Sequence, residues 1–305
     1  TRIARLIGRA LRDGLSHGRV ETLVDELLDP VLDRGRMDAL ADLAFPLAAT
    51  VVCELIGIPP EDRLELRSRV LALGPAFIPY VPEDQRAAVN DTVTWLRNYV
   101  GGLLEQRRRQ RRDDLLSRML DIQDESGQLG DEESVDNAVF LSFAGFETTV
   151  NLIAAGCSLL ASHPDQLALL RADRSLVPRA VEEMLRYESP IQMTGRFVLE
   201  PVTVGGRTLR AGRTVLLLLA SANHDERQFP DPERFDVTRA PNAHVAFGGG
   251  AHFCLGARLA RLEARTVFER LLDRTAAIEP LGAIVRERRP IFRGIREAPV
   301  AVRAA

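Results

Sequence analysis

The chain is expected to be mainly α with a small antiparallel β part, and three observations carry that expectation. Apolar residues recur at helical spacing through most of residues 1–190. Short β-favouring runs are confined to about 195–219, where Gly205-Gly206 and Ala211-Gly212 interrupt them. Strands and helices never alternate, so neither a parallel sheet nor a dinucleotide-binding turn is expected. A chain of 305 residues, 46% hydrophobic and 27% charged, can bury one large domain or two ordinary ones. No repeat or low-complexity linker divides it, so 1–305 is taken as a single domain.

In chain order, Leu23, Leu27, Leu28 and Val31 give the first clear helical stripe. Asp38 is placed to cap a helix that stops at Gly57-Ile58-Pro59-Pro60. Glu61 to Leu73 is a further helix, and prolines make 74–82 a loop. Glu83 to about Gln110 is long, and its end carries Arg107, Arg108, Arg109, Arg111 and Arg112. A solvated helix end that complements the dipole explains these arginines better than an anionic partner does. Gly127 to Gly130 is a polar turn. Asp131 then opens a very long apolar helix, which His163-Pro164 ends near Ser162. Helices near 164–173 and 178–187 complete the helical part. The sheet and a loop-rich meander fill 191–246, and a glycine-rich loop with its helix fills 247–275. The remainder, 276–305, reads as a tail.

Composition excludes several function classes. The net charge is −3 and the pI near 6.0, which gives no case for nucleic acid. All 40 basic residues are arginines. Cys53, Cys157 and Cys254 show no metal-site spacing and too low a density for a disulfide framework, so a reducing cytoplasm is expected. Cys53 and Cys157 sit in apolar runs and read as core. Pro46, Glu54 and Glu147 break the apolar runs short of membrane-spanning length, so no membrane association is expected. The chain opens on Thr1 without methionine, which suggests a fragment, a processed form or an incomplete chain.

The chemistry centres on Phe247-Gly248-Gly249-Gly250-Ala251-His252-Phe253-Cys254-Leu255-Gly256, which runs into an amphipathic helix from Ala257 to about Asp273. Glycines permit φ > 0 and close backbone approach. Loop amides and a helix N-terminus favour negative charge on sulfur. Such a thiolate serves as a nucleophile or as ligand to one metal. A nucleophile needs a base, and His252 is poorly placed to fold back in so short a loop. A ligand needs only an open sulfur and room for a flat cofactor, and a buried structural cysteine is the bland alternative.

A second stretch, Ala144-Gly145-Phe146-Glu147-Thr148-Thr149, lies inside the long apolar helix. A buried acid is costly without a partner, and an interior glycine costs about 1 kcal/mol relative to alanine. Either a polar stripe or a functional groove would explain both. A third, Glu183-Met184-Leu185-Arg186, places an acid and a base three apart on one helix face, alone no more than a common surface pair.

Together, and in this order, these motifs resemble those of cytochrome P-450 monooxygenases of the bacterial type. The resemblance implies a cytochrome P-450 fold lacking its N-terminal portion. It implies haem b, with Cys254 as the axial iron ligand whose electron donation favours O–O cleavage, a property of that family. Phe247, Gly248 and Gly256 would shape the haem loop. Gly145 would let the helix open over the haem beside Ala144, Thr148 would hydrogen-bond dioxygen and a water, and Glu147 would relay protons. Glu183 and Arg186 would form a buried ion pair clamping the meander. Arg239 is favoured over Arg234 as its third member. Arg196 and His252 match the residues that bind the haem propionates. Asn223-His224-Asp225 resembles a structural Asn-Arg-Asp. Thr1-Arg2-Ile3-Ala4-Arg5-Leu6 resembles a helix that supplies a histidine and an arginine to the propionates. The histidine would precede Thr1, and the arginine's place is held by Ala4.

The resemblance therefore implies a monooxygenase that inserts one atom of dioxygen into a small, mostly apolar organic substrate, by hydroxylation or epoxidation, in secondary metabolism. Pocket candidates are Ala144, the 74–82 loop and Ile191 to Thr194. Electrons would come from a separate ferredoxin-type partner. Arg258, Arg261, Arg265 and Arg270 could dock it, or could simply be a solvated face paired with Glu263 and Glu269. A haem-poor accessory subunit that stabilises a glycosyltransferase is the alternative, and Cys254 argues against it. A haem sensor would need no Glu147-Thr148 pair.

Overall fold

A computed structural model describes residues 2–11, 16–77, 81–287 and 289–305, except the side chains of Arg67 and Phe77. The helix α7 (Asp131–Ser162) is its axis. Three acids open it, and the Glu133 carboxylate accepts the Gly130 N–H at 3.1 Å. Negative charge on the first turn complements the helix dipole. From Thr149 to Ala161 the helix is buried on nearly every side, so its apolar composition is spent on the core.

Around it run α1 (Arg2–Ala10), α2 (His17–Arg34), α3 (Phe45–Ile56), α4 (Arg63–Ala72), α5 (Glu83–Arg109), α6 (Leu115–Ser126), α8 (Pro164–Ala172), α9 (Val177–Tyr187), the short α10 (Leu219–Ala222) and α11 (Ala257–Arg274). Helices α3, α5, α9 and α11 pack directly on α7. At Gly156 three helices converge. A Cβ there would overlap the Phe268 ring of α11 and lie 2.7 Å from the Met184 sulfur of α9. Asp38 caps a π-helical turn, Ala39–Ala44, by accepting the Leu40 N–H at 2.9 Å, and α3 follows directly.

At the end of α5, Arg108, Arg109, Arg111 and Arg112 are exposed, as a solvated helix end would be, but Arg107 is not. Arg107 is 1% exposed. It binds the Asp114 carboxylate at 2.5 Å and the Gly57 carbonyl at 2.7 Å. Arg108 pairs with Asp131 at 2.7 Å, and Arg111 with Asp121 and Asp124 at 2.9 and 2.6 Å. The acids that follow α5 fold back onto it, because a buried guanidinium needs a counter-charge.

The β part is antiparallel throughout the described residues. Its strands are β1 (Arg36–Asp38), β2 (Thr194–Phe197), β3 (Val202–Val204), β4 (Arg207–Leu209), β5 (Thr214–Leu217), β6 (Thr275–Pro280), β7 (Val285–Arg286), β8 (Ile295–Glu297) and β9 (Pro299–Ala304). Pairs β2–β5, β3–β4 and β7–β8 are separate. Residues 276–305 are not a tail. β9 lies between β1 and β6 in a three-stranded sheet, with Met37 opposite Val300 and both buried. Val300 and Val302 face inward at period two, which anchors the C-terminal end to the first hundred residues.

Two helical stretches, 39–56 and 131–162, prove long and apolar enough to cross a membrane by length and composition. The fold buries 56% and 72% of their apolar windows. The expectation that these runs fall short of that length is corrected: one interrupting residue does not stop a helix whose neighbours cover it.

Candidate active site

The meander 223–246 delivers the chain to a loop with two left-handed glycines, Gly248 (φ 69°) and Gly250 (φ 62°). The turn closes when Cys254 N–H donates to the Phe247 carbonyl at 3.0 Å and Gly248 N–H to Val245 at 2.8 Å. Cys254 is free and exposed at the foot of α11. Burial of the sulfur within the turn raises its pKa, opposed by the Gly256 and Ala257 amides and by Arg261. The helix end therefore favours a thiolate as expected, but in this chain it does not outweigh desolvation. Apolar neighbours Phe253 and Leu255 remain 50% and 40% exposed. Helix α1 lies alongside, with Gly8 able to place a Cβ 3.6 Å from Leu255.

Beneath the loop is a network that the sequence reading missed. Arg261 of α11 lies over the Phe247 ring at 4.5 Å and binds Glu182 of α9 through two nitrogens at 2.7 Å. Glu182 also meets Nε2 of His244 at 3.0 Å. Burial opposes ionisation of Glu182, but Arg261 and His244 outweigh it and hold its carboxyl at about 2. Only the bare Glu182-Glu183 doublet hinted at this role.

Of the two readings of α11, the solvated face paired through Glu263 and Glu269 does not form. Arg270 pairs with Asp25 of α2, not with Glu269. Glu263 is 1% exposed, with one carboxylate oxygen unpartnered, and burial raises its pKa well above the ordinary value. The folded state thus holds a proton that the unfolded chain releases. Its contribution is complete below the unfolded pKa and is lost as pH rises toward the folded value. We expect Glu263→Gln to gain on the wild type progressively as pH rises through that interval. Urea midpoints between about pH 4 and 8 measure this, and parallel profiles would refute it.

Glu183 and Arg186 are fully buried and joined at 2.8 Å through two nitrogens. Arg239, not Arg234, sends its side chain to Glu183, at 3.1 Å from both oxygens. Asn242 and the Asp236 amide reach the same carboxylate. Arg186 in turn donates to the carbonyls of Asn223, Pro232 and Arg234. His224 bonds Glu233 and the Tyr187 carbonyl, a bracing position.

On α7, Thr148 donates its hydroxyl to the Ala144 carbonyl at 3.0 Å. Glu147 is buried and pairs with Arg289 at 2.5 Å, and Arg289 also meets Glu287. Burial raises the Glu147 pKa, Arg289 opposes this, and Glu287 adds to it. The acid is therefore not alone, a partner that no sequence motif marked. Gly145 serves packing: a Cβ would sit 3.1 Å from Val52 of α3, so its absence lets α3 close on α7. Phe292 docks beside this helix, and its neighbours Ile291 and Arg293 bond Gln192, Pro190 and Glu188. Gln192 N–H donates to Ile291, and the Phe143 and Phe292 rings meet at 5.8 Å.

Arg196 is half-buried and, among the described residues, bonds Thr194 and the Gly195 carbonyl. His252 is exposed, as is Arg5, while Ala4 is half-buried. Residues 78–80 of the 74–82 loop lie outside the described residues. Phe197 is 75% exposed, and Leu216, Leu217 and Leu218 also stand open. A cleft of about 770 Å³, lined by Arg2, Asp124 and Glu133 among others, holds none of the site residues. An exposed cysteine, apolar residues around it and, among the described residues, Arg196 and His252 without a carboxylate partner fit a flat apolar group bearing carboxylates, as haem is.

A family model described as Cytochrome P450 matches residues 64–277. The chain is 43% identical to "Cytochrome P450 monooxygenase PikC" of Streptomyces venezuelae, over 98% of this chain and 73% of that protein. It is 40% identical to 6-deoxyerythronolide B hydroxylase of Saccharopolyspora erythraea, over 98% and 75% respectively. Among solved structures, P450BioI in complex with an acyl carrier protein ligated to hexadec-9Z-enoic acid superposes with a TM-score of 0.93. That pair is 35% identical and covers 99% of this chain and 78% of the other.

Proposed function

The chain belongs to the cytochrome P450 family of haem b monooxygenases, and we propose that it oxidises a mostly apolar organic substrate of secondary metabolism at haem ligated by Cys254. The observation that carries this reading is the exposed Cys254, seated between left-handed glycines and the first amides of α11. When bound, haem supplies the iron at which dioxygen is activated, with electron donation from the thiolate. Phe247, Gly248 and Gly256 shape the loop around the sulfur. Arg196 and His252 would hold the two haem carboxylates.

Ala144 would leave room for the haem and dioxygen, and Thr148, whose hydroxyl bonds the Ala144 carbonyl, would hydrogen-bond there. Glu147 holds the proton to be delivered, and Arg289 fixes its carboxylate. Glu183, Arg186 and Arg239 keep the meander in place behind the loop. A ferredoxin-type donor supplies electrons, and Arg258 and Arg265 on α11 are left to meet it once Arg261 and Arg270 are bound internally. The domain is a single unit over 1–305, and its cysteine usage suits the cytoplasm. The acyl carrier protein bound to P450BioI makes a carrier-tethered acyl chain one candidate substrate.

The reduced, carbon monoxide-bound spectrum tests the ligand, and product per NAD(P)H consumed tests the proton route. Glu147→Gln and Thr148→Ala are expected to bind haem normally and to lose about 10²–10⁴-fold in coupled turnover, as removal of a positioned proton donor does. Unchanged rate and coupling in both would exclude the relay.

A further inference from the structure

Two neighbouring acids of α9 face different parts of the site. Glu183 turns to the meander, and Glu182 to the cysteine loop. His244 Nδ1 accepts the Ala246 N–H at 3.2 Å, which leaves Nε2 to carry the proton and donate to Glu182. The same carboxylate holds the Arg261 fork at 2.7 Å from two nitrogens, and the fork lies flat on Phe247. Phe247 then accepts the Cys254 N–H. A continuous chain of contacts therefore runs from α9 to the backbone of Cys254, and each link enters the loop from a different segment.

We propose that Glu182 is a positioning residue for the Cys254 ligand. By fixing His244 below the entry to the loop and Arg261 against Phe247, it sets where the sulfur stands and keeps a compensated positive charge beside it. The inference rests on the reading of Cys254 as the haem ligand. Without Glu182, the Arg261 guanidinium loses both charge-assisted bonds and swings toward water. Phe247 loses the cation on its face, and His244 loses its acceptor. Residues 244–247 then hold the turn less firmly, and a sulfur free to shift is a poorer ligand. Outer partners of metal ligands are typically worth about 10–100-fold in metal affinity.

The test compares the wild type with Glu182→Ala, Glu182→Gln, Glu182→Asp and Arg261→Lys at equal haem content. Four quantities are read: the shape of the reduced carbonyl band, the reduction potential, the rate of haem transfer to apomyoglobin and the thermal midpoint. In the Ala and Gln variants the thiolate-type band should give way to the form with displaced thiolate, and haem should leave roughly 10–100-fold faster. The Asp variant should recover part of both. Arg261→Lys keeps the charge and loses the fork, so it should show the same change more mildly. Should the Ala variant fail to fold, the isosteric Gln variant and Arg261→Lys carry the comparison. A lower thermal midpoint with wild-type band shape and potential would overturn the proposal. A wild type without a thiolate-type band would remove the ligand reading itself, and this inference with it.

Discussion

Cys254→Ala removes thiolate ligation and takes turnover to background, while the fold survives. Cys254 is an exposed residue of the loop, outside the buried core of the helices. The turn itself is closed by backbone bonds from Cys254 and Gly248, which alanine preserves. Far-ultraviolet circular dichroism and the urea midpoint should therefore match the wild type. The reduced carbonyl spectrum should lose its red-shifted band, since no other side chain in 247–256 offers a thiolate. Wild-type activity with an unchanged band would defeat the assignment. Cys53 and Cys157 are no substitutes, because both are buried and burial pushes their thiols up, to about 11 and about 12.

Glu183→Ala has the larger effect on stability. It strands two guanidinium groups, Arg186 fully buried and Arg239 nearly so. Removing one partner of a buried pair costs about 3–5 kcal/mol, a large share of the roughly 5–15 kcal/mol that holds a domain together. Replacing both Glu183 and Arg186 by leucine should be less harmful than the charge count suggests, but not neutral. The carbonyls of Asn223 and Pro232 then lose their donor, while that of Arg234 keeps Arg239, and each buried orphan costs about 1–3 kcal/mol. Urea unfolding ranks the variants, and limited proteolysis shows whether 223–246 opens first. A Glu183→Ala protein as stable as the wild type would mean that water or rearrangement satisfies the arginines.

What the sequence made legible is what lies in one stretch of it. Helix α7 was readable at both ends because acids open it and His163-Pro164 closes it. The cysteine loop and the acid–threonine pair are contiguous motifs. The three-stranded sheet was not readable, because Met37 and Val300 are neighbours in space and 263 residues apart in sequence. Partners were harder still. Arg261 looked like surface charge beside Glu263, yet a helix at 3.6 residues per turn separates them: one reaches Glu182 and the other enters the core. Arg289 and Glu147 come from elements whose docking no local pattern encodes. Gly145 has a packing side that its motif did not show, since a Cβ there would sit 3.1 Å from Val52 of α3.

The crossing at Gly156 joins the three helices on which the chemistry is mounted. α7 carries Glu147 and Thr148, α9 carries Glu182 and Glu183, and α11 begins beside Cys254. Where packing is this close, local opening is rarest, so these helices belong to the unit that comes apart last. The β2–β5 ribbon, with its open apolar side chains, has few such contacts and yields earlier. The molecule thus resembles a lathe: a stiff headstock holds the cutting point, and the rest can be adjusted to a workpiece of another shape without disturbing its alignment.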